Sequence, residues 1–303
     1  MMVILSMAGA YVKSLVGFNE SHVRKLDKQD AEKFILARLR QGNPFIALVR
    51  REVAMMNREP MYLLNGPFII VIMPLILVIM LVVQKETFMD DPALASIRVM
   101  LEGGAGVALA GLAGTFLGSS TSISCTALSR DAKALPYIKS LPISAGQYML
   151  AKLAHGLVFA VFGALVGTGL LSYAVGLSAP DTALALGVAL SLSFLLNLTG
   201  LWLDTANPRL NWDNPIAAMK QNPNALIAIL GCMGILGGIG YLAISHGLGT
   251  LAFGLLFGLV PAVLFTVLLA LYPCFAEKRL ADKGQSPLTL KSPTASSASR
   301  RWC

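Results

Sequence analysis

Residues Leu63 to Val83 read LLNGPFIIVIMPLILVIMLVV, and no charged side chain interrupts them. A helix needs about 20 mostly apolar residues to cross the hydrocarbon core of a bilayer. This run meets that length, and its apolar residues show no amphipathic stripe. Five more stretches of the same kind follow: Gly103–Thr126, Leu153–Val175, Thr182–Leu203, Ala225–Ser245 and Thr250–Tyr272. The predicted fold is therefore all-α, a polytopic membrane bundle of about six transmembrane helices over residues 63–275.

Composition agrees. The chain has 303 residues, 55% of them hydrophobic and 13% charged, with a mean hydropathy of +0.68. Soluble domains carry roughly 25% charged residues, and disordered chains are rich in charge and poor in apolar side chains. Both classes are disfavoured. The four cysteines, Cys125, Cys232, Cys274 and Cys303, form no CxxC and no metal-ligand spacing.

The net charge of +8 reflects topology, because 22 of the 24 Lys and Arg fall in alternate connections. These are the segment before the first span, the loops after spans two and four, and the tail. The opposite connections hold only Lys85 and Arg98. Lys and Arg accumulate on the cytoplasmic side, so both termini are placed there, in a cell (inner) membrane. The basic excess suits an anionic lipid surface and gives no reason to invoke nucleic acid.

Residues 1–62 read as a cytoplasmic N-terminal segment. Met1–Val12 is apolar but too short to span. Asn19–Gln41 is charged and helical in pattern, and Asn43-Pro44 breaks it. From Phe45 to Arg58 the apolar residues Phe45, Leu48, Val49, Val53 and Met56 recur at helical spacing. Arg50, Arg51 and Arg58 lie off that face. Such a helix, directly before a span, suits the membrane interface; packing on a cytoplasmic partner is the other reading. Residues 276–303 end in a Ser-, Thr- and Lys-rich tail expected to be disordered.

The loop after span two is the most informative: SRDAKALPYIKSLPISAGQ, Ser129–Gln147. Ser129 is placed to cap a short helix with Asp131 in its first turn. Pro142 stops that element, and Ser144 with Gln147 forms a capping-box pattern opening the third span. The loop reads as a stiff knob offering Arg130, Asp131, Lys133, Tyr137 and Lys139 to a partner; a plain interfacial turn is the other reading. After span four, Asn207-Pro208 and Asn214-Pro215 impose turns, and Trp212 is assigned to the interface.

Within the spans, Glu102 and His155 lie near their ends, and no acidic or basic residue occupies a centre. That disfavours a proton- or ion-coupled pump. Gly114/Gly118, Gly163/Gly167, Gly234/Gly238 and Gly254/Gly258 are GxxxG pairs, which let helix backbones approach closely. Pro74 and Pro261 are candidate kinks. No GxxxxGK[ST] loop occurs, nor HExxH or GxSxG. No catalytic, metal or cofactor site is predicted, and this chain should not hydrolyse ATP through a phosphate loop.

Three ordered stretches carry a family resemblance. Ser129-Arg-Asp-Ala-Lys133 with Lys139-Ser-Leu-Pro-Ile-Ser144 and Lys152 is similar to the Ser-Arg-Glu-Gly…Lys-Ser-Leu-Pro loop of bacterial ABC-2-type permease subunits. Asp131 and Ala132 stand where that loop has Glu-Gly. Asp204…Pro208-Arg-Leu-Asn-Trp212…Lys220-Gln-Asn222 resembles a second loop of those permeases, and Arg58-Glu-Pro-Met-Tyr-Leu-Leu-Asn65 the entry into a span. The resemblance covers about residues 45–275. It implies a permease subunit of an ATP-binding-cassette transporter, an exporter, whose post-span-two loop is a coupling helix for a separate P-loop ATPase subunit. A second permease half or a homodimer would complete it. Members are often about twice as long, and this chain resembles the C-terminal half, with Met1–Val12 like the end of a preceding span. Members also place re-entrant helices near the connection between spans five and six, so part of the sixth stretch is a candidate for one. The rival expectation is a non-transporting membrane scaffold or a truncated, inactive permease half.

Overall fold

The computed structural model describes residues 42–83 and 104–282. Among them every regular element is helical. The expectations for Met1–Val12, Asn19–Gln41, Glu102 and the tail from residue 283 lie outside the described residues.

Helix α1 is Pro44–Arg58, and α2, Pro60–Asn65, follows Glu59. The apolar run quoted above then breaks at Gly66-Pro67 before α3, Ile69–Val83. Gly66 is required there: a Cβ would lie 2.9 Å from the Thr121 carbonyl and 3.0 Å from that of Tyr62. At 1.5 Å per residue the 15 residues of α3 rise about 22 Å, short of a ~30 Å hydrocarbon core. Five helical segments are long and apolar enough to cross: 104–130, 145–175, 179–206, 223–245 and 250–281. The six-span expectation therefore stands at five among the described residues.

The second stretch is not one continuous helix. Helix α4 covers Gly104–Ser119, a 3-10 turn covers Ser124–Thr126, and α5 is Ala127–Arg130. At the break, Ser119 and Ser120 hydroxyls donate back to the carbonyls of Thr115 and Phe116. Hydroxyls that bond nearby backbone in this way bend helices. Ser122 then adopts φ 55°, a left-handed conformation costing an L-residue about 1–2 kcal/mol. Helix α6 is Leu135–Ser140, ending before Pro142 as predicted.

Helix α7, Ala145–Val175, starts eight residues before the expected span, because Ser144 caps it by accepting from Gln147 N at 3.1 Å. It ends on Gly176 at φ 79°, whose N–H reaches Ser172 O. Helix α8 is Ala179–Ala206. The next loop carries α9, Pro215–Met219, capped by Asn214. Asn222 caps a separate helix α10, Pro223–Ser245. Helix α11 is Thr250–Gly254; a π-turn at Leu255–Leu259 links it to α12, Val260–Asp282. The turn sits just before Pro261, whose missing N–H interrupts the helical ladder. This stretch runs helical from 250 to 282 without a reversal of the chain. It also extends past residue 275 into what was expected to be tail.

The centre of the bundle is α4 packed on α7 and α8. Glycines make that packing possible. A Cβ on Gly163 would fall 2.6 Å from Gly118 N, one on Gly118 would fall 2.7 Å from Ala160 O, and one on Gly167 2.8 Å from Ala113 O. Gly254 and Gly258 pack against Leu184 and Val188 of α8. A Cβ on Gly234 or Gly238 would meet nothing within 4 Å, so among the described residues this GxxxG pair makes no close helix contact.

Helix α1 turns Leu48, Glu52 and Met56 inward. Leu48 joins the core of Ala127, Leu128, Leu135, Ile138 and Tyr148, with Phe45 and Val49 beside it; Met56 packs with Tyr62 and Met219. Of the predicted apolar face, only Val53 is exposed, along with Ile46. The face read as membrane-seeking is largely turned onto the protein itself.

Candidate functional site

Three consecutive residues, Ser129, Arg130 and Asp131, fasten the end of the bundle where the loops after α5 and α8 meet. Each reaches a different element.

Ser129 serves the end of α8. Its hydroxyl donates to Asp204 Oδ1 and accepts from Arg209 N at 2.9 Å. Its carbonyl accepts from Trp212 Nε1 at 2.7 Å. Asp204 is fully buried and also accepts from Leu128 N at 2.7 Å, Ser129 N at 3.0 Å and Asn224 Nδ2 at 3.1 Å. Burying a carboxyl without such donors is prohibitively costly. Asn224 in turn donates to Asn207 O at 2.7 Å, so one acid ties α5, α8 and the first turn of α10. Ser129 therefore does not cap a helix. The cap position before α6 is Ala134, which makes no side-chain cap.

Arg130 turns back into the break in α4–α5. Its Nη2 donates to Ile123 O at 2.9 Å, and its guanidinium lies over the Tyr62 ring, 5.5 Å from the centroid. It is only 5% exposed.

Asp131 serves α1 and α7. Its Oδ2 lies 2.8 Å from Arg51 Nη1 and 2.8 Å from Lys152 Nζ, and accepts from the Tyr148 hydroxyl. Glu52 Oε1 lies 2.9 Å from Lys152 and 3.0 Å from Arg51. Glu52, Asp131 and Lys152 are all 2% exposed or less. Two acids and two bases thus neutralise one another at the joint of three elements. Burial pushes the Asp131 carboxyl up, but the Lys152 charge and the bonded Arg51 guanidinium outweigh it and hold the group well below the usual carboxylate range.

Of the five residues predicted to meet a partner, Arg130 and Asp131 are thus buried and occupied by internal partners. That corrects their placement on the docking surface. Lys133, Tyr137 and Lys139 are exposed. Lys133 Nζ lies over the Trp212 ring, 4.6 Å from the centroid; Trp212 sits beneath the loop, bonded to Ser129. Beside α6 a groove of about 570 Å³ is bounded by Lys139, Ile143, Tyr148, Glu277 and Leu280. Among the described residues no group of three or more His, Cys, Asp or Glu is placed to hold a metal ion.

The sequence reading missed Glu52, Tyr148 and Asn224, and named Lys152 and Asp204 only within the stretches that carry the resemblance. A signal existed for two of them. Glu52 interrupts the stripe Leu48-Glu52-Met56 on the buried side of α1, and Lys152 lies among apolar residues of α7. An ionisable residue within an apolar face calls for a partner of opposite charge. Nothing local pairs residues 52 and 152, 100 positions apart.

Fold and site together define a multi-pass, all-helical membrane protein whose loops at one end are clamped by buried charge. Comparison with protein-family models, with curated proteins and with solved structures found no match to the chain.

Proposed function

We propose that the chain is the membrane-spanning permease subunit of an ATP-driven transporter, working as an exporter in the cell (inner) membrane. The observation that carries this reading is the mounting of α6. Its Lys133–Lys139 surface is exposed, while the adjoining residues Ser129–Asp131 are bonded to α1, α7, α8 and α10 through Asp131 and Asp204. A displacement of α6 is thereby delivered to four helices at once. A solvated loop of flexible residues would absorb it.

In this proposal a P-loop ATPase subunit docks on Lys133, Tyr137 and Lys139 and enters the groove bounded by Glu277 and Leu280. The loop end faces the cytoplasm, in line with the Lys and Arg distribution, and both termini lie on that side. Helix α3 with the residues after it forms a sixth crossing. Helix α1 lies at the interface with Ile46 and Val53 toward lipid. A second permease half or a second copy of the chain completes the pathway.

The test is to extract the tagged chain in mild detergent and identify what co-purifies. Stoichiometric recovery of a P-loop ATPase, lost in Lys133→Glu/Lys139→Glu with the bundle's thermal stability unchanged, supports the proposal. Absence of any ATPase, under conditions that keep a known transporter complex intact, overturns it in favour of a non-transporting scaffold or inactive half.

A further inference from the structure

The break between α4 and α5 opens a second feature that the loop clamp does not use. A cavity of about 280 Å³ lies between the break, α8 and α10. Its walls include Ser119, Ser124, Asn197, Thr199, Gly231 and Cys232. All come from segments long and apolar enough to cross a membrane. The cavity opens sideways: its rim residues Ile227 and Ile235 are 55% and 46% exposed on the flank of α10. A ligand entering there comes from the lipid.

The polar atoms of the wall define what that ligand must bring. Ser119 Oγ donates to Thr115 O at 2.7 Å. Ser124 Oγ donates to Asn197 Oδ1 at 2.7 Å. Thr199 Oγ1 donates to Leu196 O at 3.0 Å. Both Asn197 Nδ2 hydrogens have carbonyl acceptors, Gly118 O at 3.0 Å and Ser193 O at 2.8 Å. A hydroxyl has one proton and two lone pairs. Those protons are already donated, so Ser119, Ser124 and Thr199 offer only lone pairs; Cys232 Sγ lies 3.2 Å from Ser119 Oγ, and the Ser122 hydroxyl, also in the wall, can donate or accept, so the complementary head is a hydroxyl, which does both. No Asp, Glu, Lys, Arg or His lines the cavity, and a charged head without a counter-ion is strongly disfavoured at membrane depth.

We infer that this lateral cavity binds the head of a neutral lipid alcohol, such as a diacylglycerol, with its tails left in the bilayer. The volume is near the lower end for ligand pockets and suits a head rather than a whole lipid. The inference does not depend on an ATPase partner.

The experiment uses the full chain in nanodiscs of phosphatidylcholine with a photoactivatable diacylglycerol as probe. Labelling is expected on the 196–203 and 227–235 peptides, competed by dioleoylglycerol. Acetyl-capped dioleoylglycerol, which lacks the donor, should compete about ten-fold less well, the equivalent of one hydrogen bond. Gly231→Leu fills the opening: a Cβ there meets nothing within 4 Å, so the variant should fold normally and lose the labelling. Thr199→Val should retain the fold and weaken competition by dioleoylglycerol. Equal competition by the capped lipid or by phosphatidic acid overturns the inference. So does undiminished labelling of Gly231→Leu, or labelling spread evenly over α3, α10 and α12.

Discussion

The two ends of α7 are held by opposite means. Its middle and far part, Ala160 to Gly167, sits against α4 with glycine facing backbone and no charge in the contact. Its first turns, Tyr148 to Lys152, are held by two acids brought in from other elements. Lipid offers little hydrophobic drive for helix association, so the first contact depends on shape. The second depends on every charge having its partner. One has no room even for a Cβ; the other has no tolerance for a missing partner.

Removing one partner should therefore do the most damage. Lys152→Ala removes the buried base and leaves Glu52 and Asp131 with only the partly exposed Arg51, and should cost about 3–5 kcal/mol, read as a fall in the thermal midpoint in detergent. The double change Glu52→Met/Lys152→Met should recover much of that loss, because apolar replacement of a buried pair is often neutral. If the double variant is as unstable as the single, packing rather than charge dominates the joint.

At the glycine seam, Gly163→Leu should cost about 1–3 kcal/mol through overpacking. Gly234→Leu, on a face with nothing within 4 Å, should stay within about 0.5 kcal/mol in the isolated chain. Equal losses would mean that α10 uses its glycines against a part of the chain outside the described residues.

Acid should separate the two ends. Asp131 titrates below the ordinary carboxylate value when folded, so its contribution is complete above pH ~4, the unfolded value. It is lost as pH falls through the folded value. A thermal midpoint followed from pH 7 to 3 should drop at the acid end, and Asp131→Asn should lower the starting point and flatten that drop. The smallest effect belongs to Tyr137→Ala. Its ring is 69% exposed, and its removal should leave the midpoint unchanged while reducing recovery of an ATPase.

The helical class and most span positions were legible because apolar length is a local property. So was the Ser144 cap, which needs only Gln147 three residues away. The break at Ser119–Ser122 was missed, since a run of four hydroxylated residues scores as tolerably apolar while bonding its own backbone. The first stretch reads as continuous from Leu63, because Gly66-Pro67 counts for little in a mean hydropathy yet separates α2 from α3. The loop after α5 was recognised as stiff, but its stiffness was assigned to a cap at Ser129. The actual cause is Asp204, 75 residues away, and no local pattern reports such a pairing. Arg130 and Asp131 were placed on the surface for the same reason: a charged residue in a loop reads as solvated until its partners are known.

The pairing of Glu52 with Lys152 also sets an order of events during synthesis. The two residues are separated by 100 positions. At roughly 5–20 residues per second, the acid leaves the ribosome about 5–20 s before its base. The segment 104–130, long and apolar enough to cross a membrane, must be inserted in that interval. Helix α1 cannot settle into its final seat until α7 has arrived, and until then Glu52 must remain hydrated. The clamp is thus the last fastening of the first half of the chain, and any delay between residues 52 and 152 prolongs the time for which α1 is exposed to capture by other surfaces.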